Sequence, residues 1–163
     1  MNFARQTSHR LHEEHRANLE LLGRVEQALG RMPRGGSGDP TLVKLAGALG
    51  EHLAQDVERH FGFEERELFT RLREAGDEGI AALLQEEHDA IRDVATELLP
   101  LTQAATTGTL DGAGWNVFKR GALELVERQV AHIQKEEMAL LPMLDDLLDD
   151  DTDRELAFAY AAL

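Results

Sequence analysis

The chain of 163 residues contains no cysteine. Disulfide bonds, thiolate metal sites and cysteine nucleophiles are therefore excluded. No apolar run is long enough to cross a bilayer, so we expect no membrane span and no membrane partner. The start of the chain, "MNFARQTSHRLHEEH", has no apolar stretch of the kind that a signal peptide carries. We therefore expect a cytoplasmic protein.

Positive charge is scarce, because 17 Lys and Arg residues stand against 31 Asp and Glu residues, giving a formal net charge of −14. Nucleic acids and anionic membranes bind to cationic faces, so neither is expected as a partner. The hydrophobic fraction of 42% is nevertheless typical of a globular protein. The chain is also long enough to bury a core.

The alternation of apolar and polar residues that marks strands is absent, and apolar residues recur at helical spacing instead. This pattern predicts four long helices, at about residues 7–29, 40–75, 77–106 and 115–141. Asp39 is expected to cap the second helix, with Pro40 at its first position, and Pro142 to end the fourth. Four long helices with short connections predict an all-α fold, an up-down-up-down four-helix bundle with a short extra helix at the C-terminus.

We expect one domain over residues 1–163, with its core at about 8–145 and an acidic C-terminal extension at 145–163. Within this extension, "DDLLDDDTD" (145–153) has two interpretations. Its aspartates could bind calcium, but their spacing does not fit an EF-hand loop. A solvated helix end is the interpretation that we favour.

The two halves of the sequence resemble each other. "LHEEHRANLELL" (11–22) matches "LQEEHDAIRDVA" (84–95), and "HFGFEERELFT" (60–70) matches "HIQKEEMALLP" (132–142). Helical spacing places the shared histidines and glutamates on inward faces, where unpaired carboxylates are costly to bury. The repeat therefore predicts a cation site made of the six residues kept in both halves: His15, His60, Glu64, His88, His132 and Glu136.

Other histidines lack this duplication. His9 and His52 each precede a carboxylate by four residues, but neither has a counterpart in the second half. We interpret both as ordinary helix residues. His12, one turn before His15, is a candidate for a fifth imidazole ligand.

Imidazole and carboxylate ligands without sulfur suit iron, manganese or zinc. Two glutamates from opposed helices can each bridge, which indicates two ions. Such a set leaves coordination positions open, so a small molecule could bind there.

The order of these residues resembles the hemerythrin-like (HHE cation-binding) family. The two segments that begin at His60 and His132 are similar to its repeated H-x-x-x-E-E signature, and the resemblance covers about residues 8 to 145. It implies a four-helix bundle with two non-haem iron ions, oxo- or hydroxo-bridged, held by the six residues, with Glu64 and Glu136 as bridges. Glu65 and Glu137 match the second glutamate of the signature, where a supporting or surface role is expected.

The chain departs from the respiratory members of that family, whose third motif is H-x-x-x-H. Here Arg92 stands four residues after His88. One histidine fewer leaves the ions more open, which disfavours stable oxygen carriage.

Three functions are open at this point. The first is a diiron protein that binds oxygen, hydrogen peroxide or nitric oxide as a scavenger or sensor, with a reductase as its partner. The second is an oxygen or iron carrier or store without turnover. The third is iron–sulfur cluster repair or iron donation, which the lack of cysteine disfavours. The sequence leaves enzyme activity and oligomeric state open.

Overall fold

A computed structural model describes residues 2–163 of the chain. Five helices make up this part of the protein, and it contains no strand. The predicted fold class, a four-helix bundle with a short extra C-terminal helix, is confirmed. The helices are α1 (Gln6–Gly30), α2 (residues 40–74), α3 (Glu78–Thr106), α4 (residues 112–147) and α5 (Asp150–Ala161).

The four long helices form a closed ring. Each is in contact with the next along the chain, and α1 also contacts α4. The connections are short, so successive helices run in opposite directions. The last helix, α5, packs on the outside of the bundle against α1.

Aspartate caps start three of the helices. The side chain of Asp39 accepts the Leu42 N–H at 2.7 Å at the start of α2, as the sequence predicts. Asp111 and Asp149 cap α4 and α5 in the same way. These carboxylates satisfy amides that have no partner within the helix.

Two of the long helices contain π-helical segments. Helix α2 has two, at His52–Asp56 and Glu64–Phe69, and α4 has one at Glu136–Leu140. The prediction that Pro142 ends the fourth helix is wrong, because α4 continues through Leu141–Leu147. The π segment just before Pro142 already shifts the register of the helical backbone hydrogen bonds. Proline has no N–H to donate, and here that missing donor falls where the regular α-helical hydrogen bonds are already interrupted.

The core has two apolar layers. One contains Leu22, Leu49 and Phe118, and the other contains Leu11 and Phe63. Along α1, His15 falls between Leu11 of the second layer and Leu22 of the first. The polar residues of the repeat therefore lie between two apolar layers.

The acidic C-terminal segment is more than a solvated helix end. Asp153 accepts the backbone N–H groups of Gln6 at 2.8 Å and Thr7 at 2.9 Å. Asp145 accepts those of Ala4 and Arg5. Aspartates from the end of the chain thus cap the start of α1.

None of the helices in residues 2–163 is long and apolar enough to cross a membrane.

Candidate metal centre

The structure brings together the six side chains that the repeat singles out. They come from all four long helices, one from α1, two from α2, one from α3 and two from α4. All are buried in the polar layer, and each has at most 4% of its surface exposed. The six are His15, His60, Glu64, His88, His132 and Glu136.

These side chains form two sets of four that share both glutamates. In each set, one ligand atom per residue lies within 4.8 Å of all the others. The first set is His15, His60, Glu64 and Glu136, and the second is Glu64, His88, His132 and Glu136. Each set has two imidazoles and two carboxylates, which is a suitable group of ligands for a divalent metal ion.

Glu136 lies at the middle of the arrangement. Its Oε1 is 2.6 Å from Nε2 of His132, and its Oε2 is 2.9 Å from Nε2 of His15. Glu64 spans the sets likewise, with Oε1 at 2.7 Å from His60 Nε2 and Oε2 at 3.2 Å from His88 Nε2. Each carboxylate therefore directs one oxygen at a histidine of the first set and the other oxygen at a histidine of the second set.

The short distances within the sets are not good hydrogen bonds. Both oxygens of Glu64, both oxygens of Glu136 and Nε2 of His15 are buried without a hydrogen-bond partner of acceptable geometry. Nε2 of His88 also faces Nε2 of His132 at 3.0 Å. Ligand atoms about 2.1 Å from one cation lie roughly 3 Å apart, so the six residues fit around metal ions.

Each of the shared glutamates begins a π-helical segment. Glu64 is the first residue of one and Glu136 the first residue of another. These two π segments therefore occur at equivalent places of the two sequence halves. Such segments are frequent at functional sites. Helical periodicity did not predict them, although the repeated Glu-Glu pair marks where two of them begin.

Four further glutamates surround the six residues, and we call them the outer carboxylates: Glu14, Glu65, Glu87 and Glu137. Each of them places a carboxylate oxygen near Nδ1 of one buried imidazole. The pairs are His15 with Glu137 at 2.7 Å, His88 with Glu65 at 3.3 Å, His132 with Glu87 at 2.8 Å and His60 with Glu14 at 3.6 Å. An Nδ1–H that faces a carboxylate leaves Nε2 free to face the middle of the site.

Arginine, lysine and histidine hold the outer carboxylates in turn. Arg92 donates to both oxygens of Glu65, at 2.5 and 3.1 Å. Arg92, one helical turn after His88, thus supports the carboxylate that faces Nδ1 of His88. Lys135 pairs with Glu87.

The remaining histidines lie outside both sets. His12 contacts Glu137 at 2.8 Å and is partly exposed, so its place is beside an outer carboxylate. His52 is buried, and its Nε2 lies 2.9 Å from the Gln129 amide nitrogen and 3.3 Å from its amide oxygen. His9 is exposed. The duplication argument therefore separates the clustered histidines from the others.

The carboxylates favour protonated imidazoles when no metal is bound. Burial lowers the pKa of His88, but the neighbouring carboxylates of Glu136, Glu64 and Glu65 outweigh it and raise this pKa to about 10. Burial likewise opposes protonation of His132, whereas Glu136 and Glu87 raise its pKa to about 9. Metal ions therefore compete with protons for these nitrogens.

A small cavity lies beside the two sets. It has a volume of about 10 Å³, and Asn18, Val57, Gln129 and Ile133 border it together with some of the clustered residues. A cavity of roughly this size holds one water-sized molecule.

A family model described as "Hemerythrin HHE cation binding domain" matches residues 6–144 of the chain. A search of curated proteins finds no match. The matched region contains all six clustered residues and ends before α5.

Proposed function

We propose, since the chain belongs to the family of hemerythrin HHE cation-binding domains, that its six clustered residues hold two metal cations. The first set would hold one cation and the second set the other. Glu64 and Glu136 would bridge them, because both residues belong to each set. We call this arrangement the dinuclear centre.

One observation carries the proposal. Among the six clustered residues, four carboxylate oxygens and one imidazole nitrogen are buried without hydrogen-bond partners of acceptable geometry. Burying such groups costs several kcal/mol each unless something compensates for the lost water. Two divalent cations would accept all of these electron pairs at once.

Iron is the metal that we propose. The ligands are nitrogen and oxygen without sulfur, which suits iron but also manganese and zinc. The resemblance to hemerythrin-like proteins favours a pair of iron ions with an oxo or hydroxo bridge. Such a pair would supply one-electron redox chemistry and open positions for a small ligand.

We further propose that oxygen, hydrogen peroxide or nitric oxide is the ligand, in scavenging or sensing. The cavity beside the two sets has a volume of only about 10 Å³, which favours one of the smallest ligands over a larger substrate. A role in scavenging would need an electron donor, for which a reductase is the expected partner. The cytoplasmic location expected from the sequence remains a prediction.

The outer carboxylates would orient the ligands and hold protons at Nδ1. Glu137 lies between buried His15, at 2.7 Å, and partly exposed His12, at 2.8 Å. This chain of contacts offers a route for a proton between the interior and the solvent. It also gives His12 a role without direct contact with metal.

The experiment that tests this function begins with iron-loaded protein, reduced under anaerobic conditions. Separate samples are mixed with oxygen, hydrogen peroxide or nitric oxide, and absorption spectra are recorded by stopped flow. We expect rapid reaction with at least one of them and no long-lived oxygen adduct. A stable adduct that releases oxygen under vacuum would instead assign the protein to the carriers, and no reaction with any of the three would contradict the proposal.

A further inference from the structure

The four buried imidazoles are not held in the same way. Nδ1 of His15, His88 and His132 each lies within 3.3 Å of an outer carboxylate. Nδ1 of His60 is 3.6 Å from Glu14, and the hydroxyl oxygen of Tyr160 is closer, at 3.2 Å. A tyrosine therefore stands between the fourth imidazole and its carboxylate.

Tyr160 belongs to α5, beyond the residues that the family model matches. Its side chain is buried, and its ring lies edge-on to His60, with 6.2 Å between the ring centroids. Phe63 packs against the Tyr160 ring, with 4.6 Å between the ring centroids. The C-terminal helix thus places one side chain directly against a ligand of the dinuclear centre.

Glu14 is fully engaged by other groups. Arg59 donates to its Oε1 at 2.6 Å, and the Tyr160 hydroxyl donates to its Oε2. The Arg59 guanidinium also lies over the Tyr160 ring, 5.2 Å from the centroid. For the Nδ1–H of His60, the nearest acceptor is therefore the tyrosine oxygen, whose own proton is held by Glu14.

We propose that Tyr160 is a positioning residue for the dinuclear centre, fixing His60 through its hydroxyl and linking the docking of α5 to metal binding. This inference rests on the proposed function, because it requires that His60 is a metal ligand. His60 belongs only to the first set. The hydroxyl therefore acts on one of the two cations and makes the two positions unequal.

The expected size of the effect follows from similar contacts in metal proteins. Removing a group that orients a ligand imidazole typically weakens metal binding about 10-fold to 100-fold. Coupling between two equilibria is reciprocal. If the docked α5 strengthens metal binding, metal binding must equally stabilise the docked position of α5. Metal binding should then slow backbone amide exchange in residues 150–161.

The test compares Tyr160→Phe with Phe158→Ala and the unaltered chain. Phenylalanine keeps the ring and removes only the hydroxyl, while Phe158 lies on the same helix with 79% of its surface exposed. Metal-free samples are titrated with ferrous iron in an anaerobic calorimeter. We expect two binding steps in the unaltered chain and in Phe158→Ala, and in Tyr160→Phe one step weakened about 10-fold or more with the other unchanged.

Hydrogen exchange supplies a second measurement, which tests the link to α5 in the unaltered chain as well as in the variant. Iron should slow exchange of residues 150–161 in the unaltered chain and leave residues 107–111, at the α3–α4 connection, unaffected. In Tyr160→Phe the slowing should be largely lost. A residue that only packs would instead lower the stability of metal-free and loaded protein equally and leave both binding steps intact.

The outcomes separate the two proposals. If the unaltered chain binds two ions and Tyr160→Phe binds them equally well, the role of Tyr160 is refuted and the dinuclear centre stands. If iron does not change exchange in residues 150–161 of the unaltered chain, the link to α5 is refuted, even where the variant fails to fold. If the unaltered chain binds no iron, both proposals fail.

Discussion

Two buried histidines of α2 offer a matched pair for testing the site. His60 and His52 are both nearly inaccessible, and each precedes a carboxylate by four residues. Only His60 belongs to a set, whereas His52 pairs with Gln129. We predict that His60→Ala loses about half of the metal-dependent stability and that His52→Ala keeps all of it.

The size of the effect follows from the fact that His60 belongs to only one of the two sets. A cation at 100 times its dissociation constant stabilises the folded state by about 2.7 kcal/mol, so two cations contribute about 5.4 kcal/mol. For a chain of this length, 1 kcal/mol raises the melting temperature by about 2–4 °C, so two cations should raise it by about 10–20 °C. His60→Ala leaves the second set intact, so about half of this increase should remain.

His52→Ala should lower stability for a different reason. It leaves the Gln129 amide buried without its partner, at a cost of about 1–3 kcal/mol. That cost is the same with and without metal, so the increase on adding metal is preserved. Thermal unfolding of the three proteins, metal-free and after anaerobic addition of ferrous iron, gives the comparison. An equal loss of the metal-induced increase in both variants would refute the assignment of the sets.

Three more predictions follow from individual contacts. Glu136→Gln should lose both ions, because Glu136 belongs to both sets; metal analysis finding two ions in this variant would contradict its bridging role. In metal-free protein the pKa values of His88, about 10, and His132, about 9, lie above the unfolded value of about 6.5. The stability they contribute is complete below about pH 6.5 and is lost as the pH rises through 9 and 10, so urea unfolding should show a declining free energy there, and a rising one would contradict the charge balance. Asp153→Ala should lower the unfolding free energy by about 0.5–2 kcal/mol, because it removes the cap from α1, and an unchanged urea midpoint would contradict this role.

The sequence predicts most of the fold because its signals are local. Apolar spacing marks the four long helices, and Asp39 with Pro40 marks the start of α2 where the structure has it. The end of α4 could not be predicted in the same way. Proline normally ends a helix, and nothing in the 3.6-residue period announces the π segment that allows the helix to pass Pro142.

The six clustered side chains could be selected because the chain repeats itself. Duplication distinguishes His60 from His52, which helical spacing alone does not. The structure shows that the six clustered side chains are buried and lie close together, while the presence of metal remains a prediction.

The contacts around the six residues depend on tertiary structure and have weaker signals. Glu14 and Glu87 each precede a clustered histidine, and that duplication hints at a supporting role. Tyr160 has no counterpart in the repeat and lies 100 residues from His60 along the chain. Only the docking of α5 against α1 brings it to the site, so no local pattern could predict it.

The most direct test of the dinuclear centre is metal analysis of protein expressed with abundant iron. The sharing of Glu64 and Glu136 by two sets predicts about two irons per chain, with the near-ultraviolet absorption of an oxo-bridged ferric pair. A stoichiometry near zero would contradict the account. One zinc per chain would also contradict it and would indicate a mononuclear structural site.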